Sequence, residues 1–170
     1  DSHRRQRQMC IRDSYYIKRL GFKKTFITED KIRFKILDLL SRREHSFKEL
    51  INKLKDRVDS EEKLFEELTK LKEENLQSDE RFAESYTRSR SVKGFGPEKI
   101  SYELKSRGIS ENLISKIVYS DEINWMEIIK KEFSKKFIVG NHFAEEDISR
   151  AKKFLLQRGF EFDQINQLFK

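Results

Sequence analysis

The chain has 170 residues, of which 36% are apolar and 39% are charged. This composition is leaner in apolar residues than an average globular domain, which excludes one thick hydrophobic core and favours several small helical units. The net charge of +7 favours anionic partners, such as nucleic acid or an acidic protein surface.

Residues 1–14 show no apolar period and are crowded with Arg and Gln. We interpret this segment as a disordered basic tail or as foreign sequence, and we assign no role to Cys10 within it. Residues 15–30 follow as an aromatic and basic connector. Thr28 or Asp30 at its end is placed to cap the next helix.

Residues 31–77 are predicted to form a first repeat of three helices. Apolar residues recur there at helical spacing, beginning with Ile32 and Ile36. Ser46, with Glu49 three residues later, predicts a capping box at the start of the second helix. Ser60 is predicted to begin the third.

Residues 78–120 are predicted to form a second three-helix repeat. Pro97 is expected to begin its second helix, because proline is pre-organised for the first helical position. Gly108 followed by an apolar residue predicts a Schellman-type helix end. Ser78 or Asp79 is placed to cap the first helix and Ser110 the third.

Residues 121–170 are predicted to form a third repeat. Its first helix carries Trp125 on a core stripe, and Gly140-Asn141 is predicted to break the chain after it. A second helix is expected to end at Gly159, and a short last helix follows.

The three segments resemble one another. Arg57, Arg107 and Arg158 follow matching leucines and are separated by 50 and 51 residues. A period near 50 residues predicts an all-α fold, an elongated tandem array of three three-helix repeats. Val58 stands where the other two copies have glycine, which predicts a different helix end in the first copy.

The predicted binding site centres on the turn Gly94–Pro97, where basic residues outnumber acidic ones and aromatic residues are interleaved. Arginine suits such a site because its planar guanidinium binds phosphates or carboxylates in a bidentate manner. A solvated face above core aromatic residues explains the same pattern equally well. The predicted binding residues are Tyr86, Arg88, Arg90, Lys93, Phe95, Lys99, Lys105 and Arg107.

Several kinds of chemistry are not expected. His3, His45 and His142 are far apart and have no cysteine at ligand spacing, so we predict no metal site, no cofactor and no catalytic centre. The single cysteine excludes an internal disulfide. No apolar run approaches the ~20 residues of a membrane span, so we expect a cytoplasmic protein without a membrane partner.

The central run resembles the signature of the RecX regulatory family. The matching pieces are DERFA at 79–83, Y-x-RSR-x-x-KGxGP at 86–97 and IxxELxxRGI at 100–109. The flanking pieces LLSRREHS at 39–46 and FLxxRGF at 154–160 agree with it. The resemblance covers roughly residues 31–170.

This resemblance implies a modulator of the bacterial recombinase RecA. It implies an array that lies in the groove of the RecA–DNA filament and hinders filament growth, ATP turnover, strand exchange and coprotease action in DNA repair. The expected partners are the RecA filament and, weakly and non-specifically, single- or double-stranded DNA, and the protein is expected to be a monomer.

An alternative is a direct DNA-binding helix-turn-helix or winged-helix transcription regulator. It predicts a wing hairpin after the third helix and a sequence-specific DNA site. No strand-like alternation follows Leu76.

Overall fold

The computed structural model describes residues 26–137 and 145–170. The predictions for the tail at residues 1–14, for most of the connector and for the break at Gly140-Asn141 lie outside these ranges.

The described ranges are helical, with short turns between the helices and one 3-10 turn at Lys55–Arg57. Their α-helices are α1 (Glu29–Arg42), α2 (Phe47–Leu54), α3 (Glu61–Glu73), α4 (Asp79–Val92), α5 (Pro97–Ser106), α6 (Glu111–Val118), α7 (Trp125–Phe137), α8 (Glu145–Arg158) and α9 (Phe162–Leu168). The predicted all-α class is confirmed.

Helix packing divides these elements into three sets of three: α1–α3, α4–α6 and α7–α9. The predicted three-helix repeat is therefore confirmed. After α3, a short turn leads directly into α4. No hairpin stands there in the described chain, where a winged-helix protein would carry its wing.

Serine residues begin four of the helices, as predicted. In each case the hydroxyl accepts the backbone N–H three residues later, which satisfies one free donor of the first turn; the four are Ser46, Ser60, Ser78 and Ser110. Pro97 begins α5 as predicted. By contrast, α1 begins at Glu29, and Thr28 before it makes no side-chain cap hydrogen bond.

The predicted capping box at Ser46 is only half formed. The Ser46 hydroxyl accepts the N–H of Glu49 at 3.1 Å. The Glu49 carboxylate binds Arg43 and the buried His45 ring instead of turning back to the cap. The guanidinium of Arg43 offers the Glu49 carboxylate an opposite charge, which a backbone amide does not.

The predicted Schellman end at Gly108 is confirmed. Gly108 has φ +83°, the N–H of Ile109 donates to the carbonyl of Leu104 at 3.1 Å, and the N–H of Gly108 donates to that of Lys105 at 3.0 Å. Gly159 ends α8 in the same conformation, with φ +88°. A residue with a Cβ is disfavoured in this left-handed region.

The second helix of the first repeat ends differently from those of the other two repeats, as the valine at position 58 led us to predict. Val58 is extended, with φ −114°, and forms an isolated bridge with Ile27. The N–H of Ile27 donates to the carbonyl of Arg57 at 2.8 Å. The extended backbone does not need glycine, and the valine side chain is buried.

We expect Val58→Gly to lower the free energy of unfolding by about 2–4 kcal/mol. The change removes a buried valine side chain, worth about 1.5–3 kcal/mol, and adds the entropy cost of a glycine, about 0.5–1 kcal/mol. Urea unfolding followed by circular dichroism measures the effect. Asp59→Gly, at the exposed next residue, is the control. An equal loss in both variants would contradict the assigned role of the Val58 side chain.

The apolar interior forms two separate clusters. The first lies within repeat 1, and its members are Ile27, Ile32, Ile36, Leu50, Leu54, Val58, Leu64, Leu68 and Leu71. The second is shared by repeats 2 and 3 and extends from Phe82 to Ile165. Trp125 belongs to it, as predicted, and its indole N–H donates to the carbonyl of Val118 at 3.0 Å. Repeats 2 and 3 are thus joined by apolar packing, whereas repeat 1 has its own core.

In residues 26–137 and 145–170, no helix combines the length and the hydropathy that crossing a membrane requires.

Candidate functional site

The turn Gly94–Pro97 lies at the junction of repeats 2 and 3. The N–H of Gly96 donates to the carbonyl of Arg158 at 2.8 Å, and the N–H of Glu98 donates to that of Gly159 at 2.9 Å. A Cβ built on Gly96 would lie 2.4 Å from the carbonyl carbon of Gly159. Glycine is therefore required here by the close approach of two backbones.

The junction of repeats 1 and 2 uses the equivalent position. The hydroxyl of Ser46 donates to the carbonyl of Arg107 at 2.8 Å. The other contacts of this junction are polar: the N–H of Phe47 donates to Asp79, and Arg81 binds Glu44. Both junctions therefore have the same layout. The start of α2 meets the end of α5 between repeats 1 and 2, and the start of α5 meets the end of α8 between repeats 2 and 3.

Three cations surround the ring of Phe95. The guanidinium of Arg90 lies 3.8 Å from the ring centroid, and Lys99 Nζ and the guanidinium of Arg158 each lie 4.8 Å from it. The ring is half-buried and packs on the core shared by repeats 2 and 3. Phe95 therefore occupies a turn but also belongs to the packing, because three cationic groups and the core cover its ring.

Similar contacts extend this arrangement in both directions. The guanidinium of Arg107 lies 4.6 Å from the ring of Tyr86. Towards repeat 3, the ring of Phe154 lies 5.2 Å from Arg158 and 3.9 Å from Lys136 Nζ. We name the whole set the cation–ring row; it comprises Tyr86, Arg90, Phe95, Lys99, Arg107, Lys136, Phe154 and Arg158.

Glu103 holds the centre of the cation–ring row. Its carboxylate accepts a hydrogen bond from the Tyr86 hydroxyl at 2.7 Å. It also accepts two from the Arg90 guanidinium, from Nε at 2.8 Å and from Nη2 at 2.5 Å. Burial by itself raises the pKa of Glu103, but the hydrogen bonds from Arg90 and Tyr86 and the charge of Arg107 together lower it below its usual value. The carboxylate therefore stays ionised and orients its partners.

The ionisation of Tyr86 makes the free energy of unfolding depend on pH. Burial first, and then the hydrogen bond to Glu103, raise the pKa of Tyr86 to about 12. Because the unfolded tyrosine ionises near pH 10, this stabilisation is intact below about pH 10 and is lost as the pH rises through about 12. We expect the free energy of unfolding to fall more steeply in the wild type than in Tyr86→Phe over this range.

Urea unfolding at pH 9 and pH 11.5 measures this difference. The absorbance of tyrosinate at 295 nm gives the titration directly, since the difference between wild type and Tyr86→Phe should have its midpoint near pH 12. Tyr102→Phe, at a side chain exposed by 76%, is the control for losing a hydroxyl. Equal slopes in wild type and Tyr86→Phe would contradict the buried hydrogen bond.

The structure does not place all eight predicted binding residues together. Five of them lie in the cation–ring row: Tyr86, Arg90, Phe95, Lys99 and Arg107. Lys93 is exposed beside it, and its carbonyl accepts a hydrogen bond from Arg158. Arg88 projects from a different side of α4. The ammonium group of Lys105 pairs with Glu111 at 2.6 Å.

Sequence reasoning missed Lys136, Phe154 and Arg158 as members of the row. Two signals point to Arg158: it is equivalent to Arg107, which is among the predicted binding residues, and it lies with Phe154 in the FLxxRGF piece at 154–160.

The excess of positive charge does not belong to the helical array. Residues 1–25 hold eight of the 37 basic and two of the 30 acidic residues, which leaves 29 basic and 28 acidic residues from 26 to 170. Most of the net charge of +7 therefore lies in residues 1–25 and not in the helical array, where an elongated basic surface was expected. Any attraction of the array for an anion comes from local clusters such as the cation–ring row.

Among the described residues, no group of three or more His, Cys, Asp or Glu side chains could hold a metal ion.

The family of this chain follows from its similarity to known proteins. Residues 78–116 match the family model described as RecX, second three-helix domain. The chain is 39% identical over 134 residues to the regulatory protein RecX of Legionella pneumophila, an alignment that covers 79% of this chain and 89% of that protein. The chain belongs to the RecX family. It is likewise 40% identical over 139 residues to the RecX protein of Pseudomonas putida, with coverage of 81% and 88%.

Solved RecX structures share the fold. The crystal structure of RecX from Lactobacillus salivarius superposes with a TM-score of 0.68 at 25% identity and covers 83% of this chain and 94% of that one. A second crystal structure of a regulatory protein RecX gives a TM-score of 0.69 at 26% identity, with coverage of 81% and 70%. The chain is therefore a RecX-type regulatory protein built from three-helix repeats.

Proposed function

We propose that this RecX-type chain regulates RecA, mainly as an inhibitor. In this proposal it lies in the groove of the RecA–DNA filament and slows filament growth, ATP turnover, strand exchange and coprotease action. It acts as a cytoplasmic monomer without catalysis of its own, and its repeats comprise residues 31–77, 78–120 and 121–170. The observation that carries the proposal is the family signature at 79–109, whose residues build most of the cation–ring row.

The row offers cations that are already positioned for an anionic surface. The side chain of Arg90 is only 21% exposed and is occupied by Glu103, so it mainly supports the row. Lys136 in the row and Lys93 beside it are exposed, and Arg158 keeps 29% of its side chain accessible. Cations held against rings lose little conformational freedom on binding, which favours contact with phosphates or carboxylates.

We expect the double variant Lys93→Glu, Lys136→Glu to bind RecA filaments about tenfold more weakly at about 0.1 M salt. A tenfold loss corresponds to about 1.4 kcal/mol, which two reversed contacts in a partly screened setting can supply. Fluorescence anisotropy with preformed RecA–single-strand filaments, with RecA alone and with DNA alone measures it. Lys31→Glu, Lys55→Glu changes the charge equally at exposed positions of repeat 1 and is the control.

The outcomes separate the function from its location. If the wild-type chain has no effect on RecA strand exchange at stoichiometric excess, the proposed function is wrong. If both double variants weaken binding equally, the cation–ring row is not the contact surface. Sequence-selective binding to duplex DNA without RecA would favour a transcription regulator instead, whereas weak, salt-sensitive DNA binding is compatible with the filament proposal.

A further inference from the structure

A cleft of about 710 Å³ opens between α4, α6 and the start of α7. It lies on a different side of α4 from the cation–ring row. Its apolar lining comes from Ile117, Ile123 and Ile128, and Arg88 lies beside it. A smaller cavity shares part of this lining and continues along α4 and α7 to Val92, whose side chain is 75% exposed. Together they form a groove between repeats 2 and 3.

The wall of this groove holds an unpartnered hydroxyl. Thr87 is only 1% exposed, and its Oγ1 has no hydrogen-bond partner. A buried hydroxyl without a partner is unfavourable, because it has lost water and gained nothing in exchange. Because this oxygen is closed to solvent, a segment bound in the groove supplies the missing partner, a backbone N–H or carbonyl, after the Thr87 side chain turns towards the groove.

The charges around the groove favour a cationic occupant. Four carboxylates line it. Glu132 pairs with Lys135 at 2.6 Å, whereas among the described residues Glu84, Glu122 and Glu127 form no ion pair within 4 Å. Of the lining cations, Lys116 is already held by Glu80 at 2.5 Å. Arg88 and Lys131 have no such partner in the described chain, so unpaired carboxylates outnumber unpaired cations by three to two. A nucleic acid would bring phosphates towards these carboxylates and fits poorly.

We propose that this groove binds a protein segment in which Lys or Arg side chains flank an aliphatic residue. The aliphatic side chain covers the isoleucines, the cations pair with the carboxylates, and the segment's backbone bonds the Thr87 hydroxyl. This inference rests on the proposed function, which makes the RecA filament the protein to test. It assigns protein contacts to the groove and leaves contacts with anions to the cation–ring row.

The first test uses the full chain and charge reversal. We expect Glu122→Lys, Glu127→Lys to bind RecA–single-strand filaments at least tenfold more weakly and to bind single-stranded DNA alone as well as the wild type or better. Glu62→Lys, Glu73→Lys makes the same charge change at exposed residues of α3 without ion pairs and is the control. Circular dichroism and melting temperature establish that both variants fold.

Each outcome decides one point. Filament binding that is equal in the groove variant and the control overturns this inference and leaves the proposed function standing. Loss of DNA binding in the groove variant also overturns it, because the groove would then contact nucleic acid. If the wild type does not bind filaments at all, both the proposed function and this inference are overturned.

The second test uses the hydroxyl of Thr87. Thr87→Val keeps the shape of the side chain and removes the buried polar atom. We expect it to raise the melting temperature of the free chain by about 2–5 °C and yet to weaken filament binding about threefold to fivefold. Thr87→Ser keeps the hydroxyl and should keep the binding. If Thr87→Val binds as the wild type does, the hydroxyl has no part in recognition and the proposed mode of binding is wrong.

Discussion

Replacing Gly159 with alanine is expected to lower the free energy of unfolding by about 2–5 kcal/mol. The left-handed backbone at φ +88° costs a residue with a Cβ about 1–2 kcal/mol. The new Cβ would also lie 2.3 Å from Lys99 Cβ and 2.6 Å from Lys99 N. Since a backbone atom is among these neighbours, the start of α5 must shift, which adds about 1–3 kcal/mol. Urea unfolding with a constant m-value measures the loss.

Gly108→Ala is the matched control. Gly108 has nearly the same backbone conformation, with φ +83°, but its nearest neighbour is the side chain of Lys48, with Cβ at 2.9 Å. This approach is 0.6 Å looser than the one at Gly159, and no backbone atom is among the nearest neighbours, so a small shift relieves it. We therefore expect a smaller loss of about 1–2 kcal/mol, mainly from the backbone conformation. Equal losses in the two variants would show that the close approach of repeats 2 and 3 does not require glycine.

Arg90→Ala is expected to destabilise the chain by about 2–3 kcal/mol. The variant removes a two-bond contact with Glu103, in which both side chains are less than a quarter exposed, and leaves this carboxylate short of donors. A charge-assisted contact of this kind contributes about 1.5–3 kcal/mol as a whole, and losing the stacked guanidinium on Phe95 adds to this. Thermal and urea unfolding measure the change.

Arg88→Ala is the control for this variant, two residues away on the same helix. Arg88 is exposed and has no ion pair in the described chain, so its removal should change stability by no more than about 0.5 kcal/mol. Similar stability losses in the two variants would contradict the division of α4 into a supporting side and a groove side. Binding measured with Arg90 variants has to be corrected for their lower stability.

The helix starts and ends that were predicted correctly are set by interactions between residues close together in the sequence. Ser78 begins a helix because its hydroxyl reaches an amide three residues away, and Gly108 ends one because it tolerates a left-handed backbone. Pro97 and the 50-residue spacing of the arginines are equally local or periodic signals. Such features are visible in sequence because the chain itself brings the interacting groups together.

The cation–ring row could not be predicted in full, because its contacts join residues that are far apart in the sequence. Phe95 and Arg158 are 63 positions apart, and only the folded junction places them 4.8 Å apart. Glu103 was not predicted as an anchor, since a single acidic residue among basic ones does not reveal its partners. The separation of Arg88 from Arg90 was predictable, because residues two apart on a helix point in different directions.

The hydrogen bonds to the carbonyls of Arg57, Arg107 and Arg158 have a consequence for how such arrays diversify. Each carbonyl accepts a donor at 2.8 Å, and the donors are a backbone amide, a serine hydroxyl and a second backbone amide. Because the acceptor is always main chain, its geometry is indifferent to the side chain that the residue carries. The side chains at these three positions can therefore change while the main-chain contact that holds the end of each second helix is kept.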